Sequence, residues 1–251
     1  MRLKLTIAYD GRPYKGWQSQ ACGNTVQDHL ERALAEVAKQ PLRIHGSGRT
    51  DTGVHSLGQI CHFDPPPGIS MNPYNWVPAI NTKLPATIRV MACEEVPADF
   101  HSRFSAIGKV YQYDLCTDPV LPPLKAGLAW HLPRLFDLDR LREALDLFVG
   151  RHDFHGFAAY RGNELPDMDW VRTIESIDLE TLSDGYRIIY RGDGFLYKMV
   201  RLLMGGAIHA ANGRIRLDDF ASLLDQPEGL PHGKSPLCAP SDGLYLKEVL
   251  Y

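Results

Sequence analysis

The segment best suited to chemistry runs from His45 to His55 and reads His-Gly-Ser-Gly-Arg-Thr-Asp-Thr-Gly-Val-His. Its three glycines mark a backbone that turns sharply or approaches a ligand closely, and they leave room for a flat ring above the loop. Arg49 and Asp51 are two residues apart, so in an extended segment they project to the same side. An arginine beside a carboxylate keeps the acid ionised and oriented, as a nucleophile or a base requires. The alternative is a tight loop in which the two side chains only pair with each other.

Other chemistries fit this segment less well. The glycine spacing lacks the pattern and the lysine of a phosphate-binding P-loop. His45, Asp51, His55 and His62 could together form the site of a metal-dependent hydrolase. However, the histidine spacing matches no helical pair of ligands, and no second acidic cluster lies nearby. We therefore interpret the histidines as structural residues and predict no metal.

Two later segments contribute further candidates. Tyr111 and Tyr113 lie two residues apart in a predicted strand, where a tyrosine can stack on a base; a pair of core aromatics is the alternative. Arg201 and Lys198 lie among apolar residues of a long apolar segment. A partly buried cation must find an anion, and Asp51 is the candidate partner unless Arg201 extends to the surface.

The hydrophobic pattern predicts the element order β-α-β-β-α-β for the first hundred residues, which is the split βαβ order of ferredoxin-like folds. The second half has a similar mixed order with larger loops. We therefore predict an α+β fold of two ferredoxin-like halves, 1–103 and 104–251. The halves are expected to share a central, mostly antiparallel sheet with helices on one face and a cleft on the other.

Local signals place the individual elements. Thr25 and Asp28 form a potential capping box ahead of the first helix, which Pro41 ends, and Asn72 and Pro73 begin a second, short helix. The predicted strands are 3–9, 42–45, 57–63, 87–96, 109–117, 171–182, 185–191 and 244–250, and the later helices are 137–149, 195–211 and 217–224.

Composition limits the function classes. With 44% hydrophobic and 23% charged residues among 251, the chain is neither disordered nor fibrous. A net charge of −3 argues against indiscriminate nucleic-acid binding. Lys and Arg nevertheless outnumber Asp and Glu by eight to five in residues 1–60 and by five to one in 191–216, so an RNA footprint would be built from these regions. Five scattered cysteines and no secretory signal predict a cytoplasmic protein with reduced thiols.

Read together, these segments resemble the TruA family of tRNA pseudouridine synthases. The central match is Gly48-Arg49-Thr50-Asp51 with Gly53-Val54-His55, which has the form of the family signature. The resemblance extends over nearly the whole chain, and the further matching motifs follow in the family's order: Tyr9-Asp10-Gly11, Tyr14, Gly16-Trp17-Gln18, Thr25-Val26-Gln27, Phe104-Ser105-Ala106, Tyr111-Gln112-Tyr113, His152-Asp153-Phe154, Gly194-Phe195-Leu196-Tyr197, Met199-Val200-Arg201, Ala239-Pro240 and Gly243-Leu244-Tyr245-Leu246.

The resemblance implies an isomerase that converts uridine to pseudouridine at positions 38 to 40 of the tRNA anticodon stem-loop, acting as a homodimer without a cofactor. It implies that Asp51 is the catalytic carboxylate. Arg49 and Arg201 would be the cations around it, Tyr111 the aromatic residue packed against the base, and Leu244 part of the apolar wall. We add four basic residues as weaker candidates for RNA contacts: Arg12, Lys15, Lys109 and Lys198.

Three positions depart from the family pattern. Leu202 stands where the family usually has Asn, Cys238 where Thr is common, and Lys109-Val110 where a more basic pair often precedes Tyr111. None belongs to the implied catalytic set, but they bear on RNA affinity and target choice. Besides the metal-dependent hydrolase, the alternative is a non-catalytic RNA-binding module that kept the fold, against which the presence of Asp51, Tyr111 and Arg201 together argues.

Overall fold

A computed structural model describes residues 1–134, 136–160, 162, 168–225, 235 and 237–251. The chain forms two compact units, one of residues 1–107 and 245–251 and the other of residues 108–244. This division differs from the predicted one at two points, because residues 104–107 and 245–251, which include all but the first residue of the last strand, belong to the first unit. The last strand returns there because it pairs in parallel with a strand that follows the Asp51 loop, as Tyr245 opposite His55 shows.

The elements, in chain order, are β1 (Arg2–Tyr9), α1 (Val26–Ala38), β2 (His45–Gly46), β3 (His55–Phe63), α2 (Pro73–Asn81), β4 (Ile88–Val96), β5 (Gly108–Cys116), β6 (Trp130–His131), α3 (Leu138–Asp146), β7 (Gly150–Asp153), β8 (Val171–Leu182), β9 (Gly185–Gly192), α4 (Met199–Ala211), α5 (Leu217–Asp225) and β10 (Leu244–Leu250). The predicted α+β class is confirmed. In the described part of the chain, none of these helices has the length and apolar character needed to cross a membrane.

The first unit is a sheet covered by α1 and α2. β1 lies between β3 and β4 and pairs antiparallel with both, while β10 runs parallel to β3. Alternate residues of β1 (Leu3, Leu5 and Ile7) are fully buried in the same core as the apolar faces of the two helices. The predicted capping box is confirmed: Thr25 Oγ1 accepts from the Asp28 amide, and the Asp28 carboxylate accepts from the Thr25 amide.

The strands of the second unit also pair with one another. β5 pairs antiparallel with β9, β9 with β8 and β8 with β7, and the two-residue strand β6 runs parallel to β5. α4 packs on the face of β9 that carries Tyr190, whose hydroxyl donates to Met204 Sδ at 3.3 Å. Tyr190 is fully buried, so this contact lies in the core of the unit.

Several predicted boundaries were wrong. The helix predicted for 195–211 begins at Met199, because Lys198 has a left-handed backbone (φ 58°) that a helix cannot contain. The strand predicted for 42–45 is only His45–Gly46, whereas the next strand begins at His55 rather than at residue 57. The helix predicted for 137–149 spans Leu138–Asp146. The short strands β6 and β7 were not predicted, since two to four residues carry no periodic signal.

Candidate active site

The Asp51 loop (residues 46–54) connects β2 to β3 and alternates in burial. Thr50 is buried, Asp51 is half-buried and Arg49 is exposed. The loop closes on itself through the Val54 amide, which donates to the Asp51 carbonyl at 3.1 Å. The carboxylate therefore sits at a backbone turn that is anchored on both sides of it, while the arginine side chain lies at the surface.

The loop is held from outside by the segment that follows β1. The Trp17 amide donates to the Thr50 carbonyl at 3.1 Å. Gly16 makes this approach possible: its φ is +84°, and a Cβ there would lie 2.6 Å from the Thr50 carbonyl oxygen. At the start of the loop, a Cβ on Gly46 would lie 2.4 Å from the indole nitrogen of Trp17. Two glycines thus allow the backbone and the indole to pack directly against the loop.

A buried hydroxyl pair supports the loop from within the unit. Tyr9 Oη and Thr50 Oγ1 lie 2.8 Å apart, and both residues are buried. Burial raises the pKa of Tyr9 well above its usual range, so the phenol is neutral and able to donate. Tyr9 ends β1 and Thr50 precedes Asp51, so this bond links the core sheet to the residue beside the carboxylate.

Gln59 of β3 fixes the other arm of the loop. Its Oε1 accepts from Ser47 Oγ at 2.6 Å, and its Nε2 donates to the Gly48 carbonyl at 3.0 Å. The Ser47 amide donates to the Ile60 carbonyl at 2.8 Å. Gln59 and Ser47 are fully buried, and an amide side chain bonded on both ends holds its neighbours in one geometry.

The nearby histidines have structural environments. His55 Nδ1 accepts from the Gly11 amide at 3.2 Å, lies 3.3 Å from Asp10 Oδ1, and its ring stacks on Tyr245 at 4.7 Å. His62 Nδ1 lies 2.9 Å from the hydroxyl of Ser102. Within the described residues, three possible metal ligands come together only at Cys116, Asp118 and Asp184, so His45, Asp51, His55 and His62 do not form a ligand group.

Of the weaker RNA-contact candidates in the first unit, Arg12 is exposed and bound to Asp10, with Nη2 2.6 Å from Oδ2. The Arg12 guanidinium lowers the pKa of Asp10. Lys15 is also exposed. Both residues lie in the same connection between β1 and α1 as Gly16 and Trp17, which contact the Asp51 loop.

The second unit carries the tyrosine strand. Tyr113 is fully buried and its hydroxyl donates to the Pro240 carbonyl, so it is a core residue. Tyr111 is only half-buried, and its ring meets Phe195 edge-on at 5.1 Å. Of the two alternatives for this strand, the core aromatic residue describes Tyr113, whereas Tyr111 stays a candidate for stacking on a base. Lys109, at the start of β5, is half-buried.

Arg201 lies in the first turn of α4 and is tied to the segment that follows α5. Its Nε donates to the Ala239 carbonyl at 2.8 Å, and the Ala239 amide donates to the Arg201 carbonyl at 3.0 Å. The expected pairing of Arg201 with Asp51 stays a prediction.

The two remaining candidates lie elsewhere. Lys198 directly precedes α4, and its Nζ lies 5.3 Å from the Tyr197 ring centroid. Leu244 is buried at the first position of β10.

Sequence reasoning missed the residues that support the Asp51 loop. Tyr9, Ser47, Thr50 and Gln59 are ordinary strand and loop residues, and their hydrogen bonds join positions 11 to 41 residues apart. The one available signal was that Ser47 and Thr50, like Thr52, are small hydroxyl residues of the glycine-rich segment.

Comparison with known proteins identifies the family of this chain. A family model for tRNA pseudouridine synthases matches residues 5–105 and 144–251. A tRNA pseudouridine synthase A of Akkermansia muciniphila is 51% identical over 253 residues, which cover 100% of this chain and 95% of that protein. Proteins of the same name from Bacillus pumilus and Bacillus subtilis are 41% and 40% identical, each over 100% of this chain and 99% of their own length. The chain therefore belongs to the tRNA pseudouridine synthase family.

Proposed function

We propose that this protein isomerises uridine to pseudouridine in tRNA, with Asp51 as the catalytic carboxylate. The observation that carries the proposal is the loop itself: a half-buried carboxylate on a turn supported by two buried hydrogen-bonding groups, Tyr9–Thr50 and Gln59–Ser47. Such support fixes the loop from which the acid projects, and a reaction that relies on a single well-placed carboxylate requires a fixed loop. Membership of the family supports the same activity.

The reaction needs little besides that carboxylate. The N1–C1′ bond of uridine breaks, the ring turns, and a new bond forms from C1′ to C5. The proton on C5 is lost and N1 gains one, so atoms and charge balance without an oxidant, a reductant or a transferred group. Asp51 would attack C1′, attack C6 or remove a ribose proton, and each role needs an ionised acid shielded from bulk water. The target base must first leave its stack.

The other site residues receive roles from the family resemblance. Arg49 and Arg201 would keep Asp51 ionised and meet the substrate, Tyr111 would pack on the uracil, and Leu244 would form an apolar wall. The half-buried position of Tyr111 supports its role, because a fully buried ring could not meet a base. Arg12, Lys15, Lys109 and Lys198 would contact the RNA backbone.

The finer assignments rest on the same resemblance. We infer uridines 38 to 40 of the anticodon stem-loop as targets, a homodimer as the active form, and the cytoplasm as the place of action. The five free cysteines support a reducing compartment. Light scattering at several protein concentrations tests the dimer, and a monomer at all of them would contradict it.

The proposal is tested by incubating the protein with total unmodified tRNA and mapping pseudouridine by carbodiimide-dependent reverse-transcription stops. We expect stops at positions 38 to 40, in the presence or absence of EDTA. Tight, salt-sensitive tRNA binding without any stop would favour the non-catalytic RNA-binding module. Activity that EDTA abolishes would favour the metal-dependent alternative.

A further inference from the structure

The exposed ring of Phe104 has surroundings that the proposed reaction does not use. Phe104 is 76% exposed, an unusual state for a phenylalanine, and it lies in the first unit just before β5. The His101 ring lies against it at 4.4 Å with an interplanar angle of 35°. The Arg103 guanidinium carbon lies 5.6 Å from its centroid. We call His101, Arg103 and Phe104 the Phe104 platform.

The turn that carries the platform is held firmly, so the exposure of Phe104 does not come from a loose chain. The Ser105 amide donates to the His101 carbonyl at 2.8 Å, and the His101 amide donates to Ser105 Oγ at 2.9 Å. Ser102 is fully buried, and its amide donates to His62 Nδ1 at 3.1 Å. Tyr251 Oη donates to the Ser102 carbonyl at 2.6 Å. The ring is therefore presented to solvent at little further entropic cost for a ligand that packs on it.

The charge at the platform suits an anionic partner. Arg103 is exposed, and within the described residues it forms no ion pair with a carboxylate. The neighbouring cations differ in this respect, because Arg2 is bound to Asp64 and Lys4 to Glu94. An uncommitted guanidinium beside an exposed aromatic ring is the combination that binds a nucleobase by stacking and its phosphate by charge.

The platform also lies close to the Asp51 loop within the same unit. The His101 ring is 5.6 Å from the ring of His45, and His45 directly precedes that loop. Asp51 lies six positions after His45, and six residues of fully extended chain span at most about 22 Å. An RNA whose target nucleotide is at Asp51 can reach the platform with a few more nucleotides.

We propose that the Phe104 platform binds an unpaired base of the tRNA substrate, with Phe104 stacking on the base and Arg103 contacting an adjacent phosphate. The inference rests on the proposed function, since it takes tRNA as the ligand. A second copy of this chain could also cover an exposed phenylalanine. The imidazole and guanidinium groups around the ring favour RNA, because they are not the aliphatic neighbours that a protein interface core would offer.

The test measures tRNA affinity, KM and kcat for Phe104→Ala, Phe104→Leu and Phe104→Trp. We expect Phe104→Ala to raise Kd and KM about tenfold, with kcat unchanged, since stacking on one base accounts for losses of this order. Phe104→Trp should restore binding and Phe104→Leu should not, because leucine is apolar but has no ring face. Arg103→Gln should reduce the salt dependence of binding by about one phosphate contact.

Tyr74→Ala is the matched control, because Tyr74 is a comparably exposed aromatic residue (77%) on α2. It should bind tRNA as the wild type does. Three results would each overturn the proposal for the Phe104 platform. They are wild-type tRNA affinity in Phe104→Ala, equal affinity in the Leu and Trp variants, and a change of oligomeric state that accounts for the loss of affinity. Binding is measured apart from turnover, so the two proposals fail separately. A wild type that makes no pseudouridine refutes the proposed function, whereas unchanged tRNA binding in Phe104→Ala refutes only the platform.

Discussion

Removal of the Tyr9 hydroxyl tests whether the buried support of the Asp51 loop matters to function. In Tyr9→Phe, Thr50 Oγ1 loses the 2.8 Å hydrogen bond that links it to the sheet. Because Thr50 is buried, water does not readily replace the lost partner. A buried polar group left without its bond costs about 1–3 kcal/mol, so we expect unfolding by urea to show a loss of that size.

Thr50→Val should cost less than Tyr9→Phe. The Tyr9 hydroxyl has Gln59 and Ser56 as further hydrogen-bonding neighbours, so it keeps partners when Thr50 changes. We expect a loss of about 1 kcal/mol for Thr50→Val. In the double variant neither group is left unpaired, so the combined loss should fall short of the sum by about 1 kcal/mol.

Activity should respond more strongly than stability. A displacement of about 1 Å at a reacting group can cost roughly 100-fold in rate. We therefore expect Tyr9→Phe to lower kcat at least tenfold with a smaller change in KM, measured by tritium release from tRNA that carries 5-tritiated uridine. Wild-type kcat in Tyr9→Phe, or strictly additive losses in the double-mutant cycle, would refute the supporting role.

Two further predictions concern other parts of the fold. Burial, together with the positive charges of Arg2 and two histidines, lowers the pKa of His62 to about 4. In the unfolded chain, the His62 ring takes up a proton near pH 6.5. The free energy of unfolding should therefore fall by up to roughly 3 kcal/mol as the pH drops from about 6.5 to 4. His62→Gln should flatten the profile of urea midpoint against pH, and an unchanged profile would contradict this. In Gly205→Ala, the new Cβ would lie 2.0 Å from the Leu237 carbonyl oxygen and displace the segment that binds Arg201. We expect a loss of about 1–3 kcal/mol and slower turnover, and wild-type values for both would show that this packing is not needed.

Local signals predicted the local structure. The alternation in β1 and the capping box of Thr25 and Asp28 depend on residues that are neighbours in sequence, and both are present in the structure. The start of α4 was wrong because nothing in the sequence Phe195–Lys198 indicates that Lys198 adopts φ 58°.

In the candidate site, too, the sequence predicted what depends on residues close together in the chain and missed what depends on distant ones. Asp51 was found because its glycines, arginine and aspartate lie within one short segment. The support of its loop was not found, because Tyr9 and Thr50 are 41 residues apart and each is an unremarkable residue in its own segment. Spacing also placed Tyr111 and Tyr113 on one face of β5, but only the packing around them distinguishes the buried ring from the half-buried one.

The most direct measurement is pseudouridine formation by Asp51→Asn on unmodified tRNA. Asparagine has nearly the same shape as aspartate but carries no negative charge and can neither attack carbon nor accept a proton as a carboxylate does. We expect folding and tRNA binding to persist while pseudouridine falls to the level of a reaction without enzyme. Turnover close to that of the wild type would contradict the account, because it would show that the isomerisation does not depend on this carboxylate.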